Sequence, residues 1–190
     1  MKFEKYEFDV TWLVKSEIHH DVRGQFRETF RKDLFQAASG LDFDVIQVNA
    51  SISSKGVLRG IHYSVSALGQ AKWVSCLKGE INDYIVDLRP KSSTFGQWKS
   101  ITLSEANGLS LIIPTGIGHA FETKTEGSIV SYSLSSAYDP VTEMTISPLD
   151  PTINIKWLNK DPVISDRDRL APTLEKQVFL GNMPSDNLHL

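Results

Sequence analysis

From Val45 onward, short β-rich runs, some apolar throughout and some alternating with polar residues, follow one another over 45–52, 57–63, 71–77, 80–88, 97–103, 109–113 and 128–134, with turn-forming residues between them. A period of two is strand spacing, and many short strands without intervening helices predict a sandwich or a barrel. Upstream, Asp21-Val22-Arg23-Gly24 reads as a turn into a strand with Phe26 and Phe30 on one side and Arg27 and Thr29 on the other. The stretch from Lys32 to Gly40 has helix-forming composition and a terminal glycine, so it predicts a short helix. Beyond Tyr138, Pro140, Pro148, Pro151 and Pro162 break any regular pattern. This segment reads as mostly irregular chain wrapped over the core, with a polar, frayed stretch from Met183 to Leu188.

Several runs carry charge where strand spacing predicts burial. Gly56-Val57-Leu58-Arg59-Gly60-Ile61-His62-Tyr63 and Gln70-Ala71-Lys72-Trp73-Val74 place an arginine, a histidine and a lysine on two apolar strands. Such groups cost desolvation energy unless they are paired or used on a ligand, so the pair of strands reads as the floor of a site. Arg59 and His62 are three positions apart, which on a regular strand sends them to opposite faces. An irregularity at Gly60 is therefore expected. Alternation puts Lys72, Val74 and Cys76 on one face and Trp73, Ser75 and Leu77 on the other, neither plainly solvent. A lysine aimed inward stabilises an anion, binds phosphate or forms a Schiff base; one at a strand end snorkels to water. His62 reads either as a half-buried strand histidine or as a general base, in which case Asp166 or Asp168 could orient it only if the tail folds back. Tyr132 shares an apolar face with Val130 and Leu134, where a phenol packs or donates a proton.

Composition narrows these readings. The 190 residues suffice for one sizeable core, with no repeat, heptad or low-complexity tract, so residues 1–190 read as one unit with 173–190 as a peripheral tail. The charged N-terminus lacks the apolar run of a signal peptide, and no stretch approaches the roughly 20 apolar residues of a membrane helix. A soluble, cytoplasmic protein without a membrane partner is expected. Cys76 is the only cysteine, which excludes an internal disulfide and a cysteine-based zinc site. The formal charge of −3 argues against a broad nucleic-acid surface while leaving room for a local basic cluster around a small anion.

The run Pro114-Thr115-Gly116-Ile117-Gly118-His119 is similar to the second motif of cupin barrels, whose histidine is commonly a metal ligand. The first motif would offer His-x-His, and here it reads His62-Tyr63-Ser64, so the ligand set is incomplete and His119 reads as a hydrogen-bonding pocket residue. Together with Asp21-x-Arg23-Gly24-x-Phe26-x-Glu28, Gln47-Val48-Asn49, Val86-Asp87-Leu88-Arg89 and Ser93-Thr94-Phe95-Gly96-x-Trp98, these motifs resemble the dTDP-4-dehydrorhamnose 3,5-epimerase family from about Ile18 to Pro172. The resemblance implies an all-β, cupin-type jelly-roll barrel with a few short helices. It also implies a cofactor-free isomerase acting on a dTDP-linked 4-keto sugar, and a homodimer whose early strands cross to the partner. Carried over by position, His62 is the base, Asp168 its orienting carboxylate, Tyr132 the acid and Lys72 the group at the ketone. Arg23 and Arg59 would grip the diphosphate or neighbouring polar groups. Glu28, Gln47, Asn49, His119, Glu143 and Arg167 would line the site, with Phe26 and Tyr138 as stacking surfaces. The chain departs from the commonest family pattern at Tyr63-Ser64-Val65-Ser66-Ala67-Leu68, His119-Ala120-Phe121 and Glu143-Met144-Thr145, which leaves open whether C3, C5 or both are inverted. A sugar 3,4-ketoisomerase and a non-catalytic sugar-binding cupin are the competing readings.

Overall fold

The computed structural model describes residues 1–190 and consists of two facing six-strand layers. One sheet runs, in spatial order, β1 (Lys2–Lys5), β2 (Trp12–Lys15), β10 (Leu109–Ile113), β7 (Lys72–Lys78), β12 (Ser128–Leu134) and β5 (Gln47–Ser53). The other runs β13 (Glu143–Thr145), β6 (Val57–Ser64), β11 (Ile117–Thr123), β8 (Glu80–Asp87) and β9 (Trp98–Ser104), with β14 (Val163–Ile164) pairing parallel to β6. A separate hairpin joins β3 (His19–Asp21) to β4 (Gly24–Phe26). The sandwich or barrel expected from the strand pattern is found, in the all-β, cupin-type form that the family resemblance implied.

Period two explains why so many strands are apolar on both faces. Between the sheets, Val74, Cys76, Ile81, Ile85, Leu111, Phe121 and Val130 form the inner core. The alternate residues of the first sheet, Trp73 and Ile112, turn outward and are covered by Phe35 of α1 (Lys32–Ser39) and by Phe43. Those of the second sheet, Ile61, Tyr63, Tyr84 and Val86, turn outward beneath Ile146, Ile153, Ile155 and Leu174 of the C-terminal segment. Covering both faces hides the hydrophobic/polar alternation of an ordinary antiparallel sheet. Gly40 closes α1 in the left-handed region, φ 74°, as its place after the helix predicted.

Two local expectations change and one holds. The strand anticipated over residues 26–30 stops at Phe26, because no strand edge is offered to the backbone beyond it. Instead Arg27 donates to the carbonyls of Ser104, Glu105 and Cys76, and Phe30 packs on Trp73 with ring centroids 4.7 Å apart. The chain after Tyr138 is mostly irregular and wraps over the core, as its prolines predicted, with β13, β14, α2 (Asp166–Arg169) and α3 (Leu174–Phe179) as short regular pieces within it. Its polar end is tied down rather than frayed. Tyr63 Oη donates to the Asn182 carbonyl at 2.7 Å, and His189 N and Thr115 Oγ1 are 2.8 Å apart. No helix is long and apolar enough to cross a membrane.

Candidate active site

Near Gly60, the paired strands β6 and β11 slip register between His119 and Phe121. Gly60 has φ +125°, and its peptide to Ile61 is cis. A Cβ at this position would lie 2.4 Å from Ala120 Cβ and 2.7 Å from the His119 carbonyl oxygen, so only glycine fits this backbone. Beyond the irregularity, Arg59 and His62 line the same cavity, which resolves the three-residue spacing that a regular strand could not.

That cavity, about 210 Å³, is bounded by Asn49, Arg59, His62, Gln70, Lys72, His119, Phe121, Tyr132, Leu134, Tyr138, Glu143 and Arg167. A second hollow of about 430 Å³ shares Arg59, His62 and Arg167 with it, so the space extends along the basic side. Strand register accounts for the assembly. His62 on β6 lies opposite His119 on β11, while across the barrel Tyr132 on β12 lies opposite Asn49 on β5 and Leu134 opposite Lys72 on β7.

Asp168 reaches His62 because β14 adds to the edge of β6, pairing Val163 with Val57 and Ile164 with Leu58. Ser165 then caps α2, its Oγ accepting from the Asp168 N–H at 3.2 Å. Asp168 Oδ1 lies 2.7 Å from His62 Nε2, and its Oδ2 accepts from the Gly60 N–H at 3.3 Å. Burial raises the Asp168 carboxyl, but the His62 hydrogen bond and charge, followed by the Gly60 and Ser165 contacts, outweigh it and hold the carboxyl below its usual range. With the Nε2 proton donated to the carboxylate, Nδ1 of His62 carries the free lone pair.

Lys72 is buried, and the only hydrogen bond of its side chain is a long one, 3.5 Å from Nζ to the His62 carbonyl. Burial lowers its ammonium, Glu143 and Asp83 push it back up, and Arg167 adds to the lowering. For Tyr132, burial raises the phenol, Arg59 opposes this, Glu143 adds to it, and the Asn49 amide opposes it. His119 Nε2 lies 2.8 Å from Asp83 Oδ2, with both residues buried.

Of the residues singled out from sequence, Asn49, Arg59, His62, Lys72, His119, Tyr132, Tyr138, Glu143 and Arg167 converge on the cavity, and Asp168 stands behind His62. Gln47 is one step removed: it donates to Asn49 Oδ1 at 2.8 Å and accepts from the Tyr138 N–H at 2.9 Å. Arg23, Phe26 and Glu28 do not line this chain's cavity. Arg23 is exposed and pairs with Asp21, Phe26 is 67% exposed, and Glu28 pairs with Arg31 at 2.8 Å. Sequence reasoning passed over Gln70, Phe121 and Leu134, and also Asp83. A carboxylate in phase with Ile81 and Ile85 on a buried strand was the available signal for Asp83.

A cupin-type barrel that encloses a carboxylate-backed histidine, a buried lysine and a phenol in one cavity belongs to the class of barrel isomerases that move carbon-bound protons. Residues 5–176 match the dTDP-4-dehydrorhamnose 3,5-epimerase family, and the chain belongs to it. A dTDP-4-dehydro-6-deoxyglucose 3-epimerase from Streptomyces bikiniensis is 40% identical over 175 residues, covering 92% of this chain and 89% of its own. A dTDP-4-dehydrorhamnose 3,5-epimerase from Mycobacterium tuberculosis is 38% identical over 187 residues, covering 97% and 93%. The structure of a 3'-monoepimerase from Streptomyces bikiniensis in complex with dTDP-quinovose superposes with a TM-score of 0.90 at 39% identity, covering 95% of this chain and 91% of that one.

Proposed function

We propose that this protein epimerises a dTDP-linked 4-keto-6-deoxyhexose at C3, C5 or both. The observation that carries the reading is the His62–Asp168 pair at 2.7 Å on one wall of the cavity with Tyr132 on the sheet opposite. A C4 ketone acidifies the hydrogens at C3 and C5. His62 Nδ1 takes one of them, the C–H electron pair becomes the enolate double bond, and the carbonyl pair moves onto O4. The buried Lys72 ammonium stabilises that oxygen. Tyr132 Oη then gives its proton to the opposite face of the carbon, the enolate double-bond pair making the new C–H bond as the O4 pair re-forms the carbonyl, which inverts the centre. The raised Tyr132 phenol keeps that proton at neutral pH. The His62 imidazolium and Tyr132 phenolate then exchange protons with solvent to reset. Arg59 and Arg167 are the cationic groups for the diphosphate, whose binding away from the reacting carbon orients the sugar. Tyr138, 48% exposed at the cavity edge, offers a flat face to the base.

The test is product stereochemistry by NMR after incubation with dTDP-4-keto-6-deoxyglucose. Inversion at C3, C5 or both is expected. A carbonyl moved to C3 would identify a ketoisomerase instead, and unchanged sugar would leave only a binding role.

The working unit in this reading is a homodimer in which the β3–β4 hairpin serves the neighbouring site. Its support is that Arg23, Phe26 and the wholly exposed Val22 project away from this chain's cavity, while Ile46 and the β5 side chains Val48 and Ile52 present an apolar row on an edge strand. Mixing Arg23→Ala subunits with His62→Ala subunits checks the exchange. A hairpin that crosses gives mixed dimers with one intact site and recovered activity, whereas a hairpin serving its own subunit leaves every site damaged.

A further inference from the structure

Asp83 sits on β8 inside the barrel with no exposed surface, and the reaction as described gives it no task. One carboxylate oxygen, Oδ2, meets His119 Nε2 at 2.8 Å; the other, Oδ1, is buried without a hydrogen-bond partner. A half-satisfied buried carboxylate is costly, so its retention calls for a compensating role. Strand register aims it at the site. Asp83 pairs with Phe121 across β8 and β11, which places it diagonal to His119 on the same inner face, and His119 in turn lies opposite His62.

We propose that Asp83 is a positioning residue for the side of the cavity that receives the substrate's carbonyl oxygen, fixing the His119 ring through Nε2 and supplying the buried counter-charge for Lys72. This rests on the proton-transfer reading above. With Nε2–H held by the carboxylate, His119 presents Nδ1 to the cavity in one orientation. The ammonium of Lys72 has no ion pair within 4.0 Å and is therefore left free for the ligand. The charged and titratable groups that share the cavity with it are Glu143 from β13, Arg59 and His62 from β6, His119 from β11, Tyr132 from the neighbouring β12, Tyr138, and Arg167 from α2, with Asp83 from β8 behind His119. Burial and Arg167 favour the neutral amine, and the two carboxylates oppose them. Burial raises the Asp83 carboxyl as well, and the charge and hydrogen bond of His119, followed by the charge of Lys72, oppose that rise, so the carboxylate and the ammonium favour each other's charged form.

The experiment is Asp83→Asn, alone and combined with His119→Asn, followed by loss of the C3 and C5 proton signals of dTDP-4-keto-6-deoxyglucose in D2O. Asp83→Asn is expected to lower kcat by about 10–100-fold with KM little changed, the usual cost of removing a residue that orients a working group. The alkaline limb of its pH profile moves to lower pH, since Lys72 sheds its proton earlier, while Tyr132, held above its usual value, titrates later. The double variant falls by less than the product of the single losses, because Asp83 acts partly through His119. An unmoved alkaline limb, or losses that multiply, overturns the proposal. If Asp83→Asn does not fold, nitrogen-15 NMR of the wild-type His119 ring decides: a proton on Nε2 supports the assignment, and one on Nδ1 with Nε2 bare overturns it. Absence of exchange by the wild type would instead overturn the epimerase reading itself.

Discussion

Replacing Asp168 by Asn removes one negative charge while preserving size, and the structure sets how much that costs. Asp168 is buried, its Oδ1 is 2.7 Å from His62 Nε2, and no other carboxylate is recorded within salt-bridge distance of that ring. A hydrogen bond to a charged group contributes about 1.5–3 kcal/mol. When His62 takes the substrate proton it becomes a cation, so this contribution is realised as the transition state forms. At about 1.4 kcal/mol per tenfold, kcat falls by about 10–160-fold. KM stays near the wild-type value, because the lost bond is made to His62 rather than to the sugar. The assay is the initial rate of deuterium incorporation at saturating substrate, with KM from the concentration dependence. Stability supplies a second readout. The folded carboxyl titrates below its ordinary value, so its stabilisation is complete above the unfolded value of about 4 and is lost as pH falls through the lower folded value. Wild type should therefore exceed Asp168→Asn in denaturant midpoint at pH 7, and the gap should close in acid. A kcat within twofold of wild type, or a loss confined to KM, would refute the assignment of Asp168 as the group behind the base.

Three further substitutions test other parts of the account. Tyr132→Phe keeps the base and removes the acid, so solvent deuterium still enters the substrate while inverted product falls by about 10²–10⁴-fold, measured by NMR of the recovered sugar. Lys72→Met keeps an unbranched side chain one atom shorter and removes a buried ammonium; kcat drops by about 10²–10³-fold. Because folding lowers the Lys72 titration, the charge destabilises the fold at pH 7, so this variant should melt higher than wild type, with the advantage shrinking as pH rises through the lysine range. Gly60→Ala drives a Cβ to 2.6 Å from the Ala120 Cα at φ +125°, and backbone strain plus overpacking should cost about 2–6 kcal/mol in chemical denaturation.

Much of the barrel was legible because period two survives in the strands. Lys72 and Trp73 were sorted to opposite faces from spacing alone, and the structure places Val74 and Cys76 in the inner core and Trp73 beneath α1. The irregularity at Gly60 was legible for a related reason, as two charged residues three apart could share a cavity only if the strand broke step. What could not be read was long-range. Nothing local to Asp168 announces that β14 will carry it to His62, 106 positions away. Asp83 could be flagged as a carboxylate in phase with Ile81 and Ile85, but a single sequence gives no sign that His119 would reach across to it. The hairpin residues Arg23 and Phe26 are missing from the cavity for a physical reason: their strands pair only with each other and leave the barrel.

The account turns on His62 removing a proton from carbon, and solvent exchange measures that step directly. Wild-type protein incubated in D2O with dTDP-4-keto-6-deoxyglucose should lose the C3 proton signal, the C5 signal or both, and His62→Asn should abolish the loss without preventing the substrate from binding. Retention of both signals by the wild type, or exchange undiminished in His62→Asn, would contradict it.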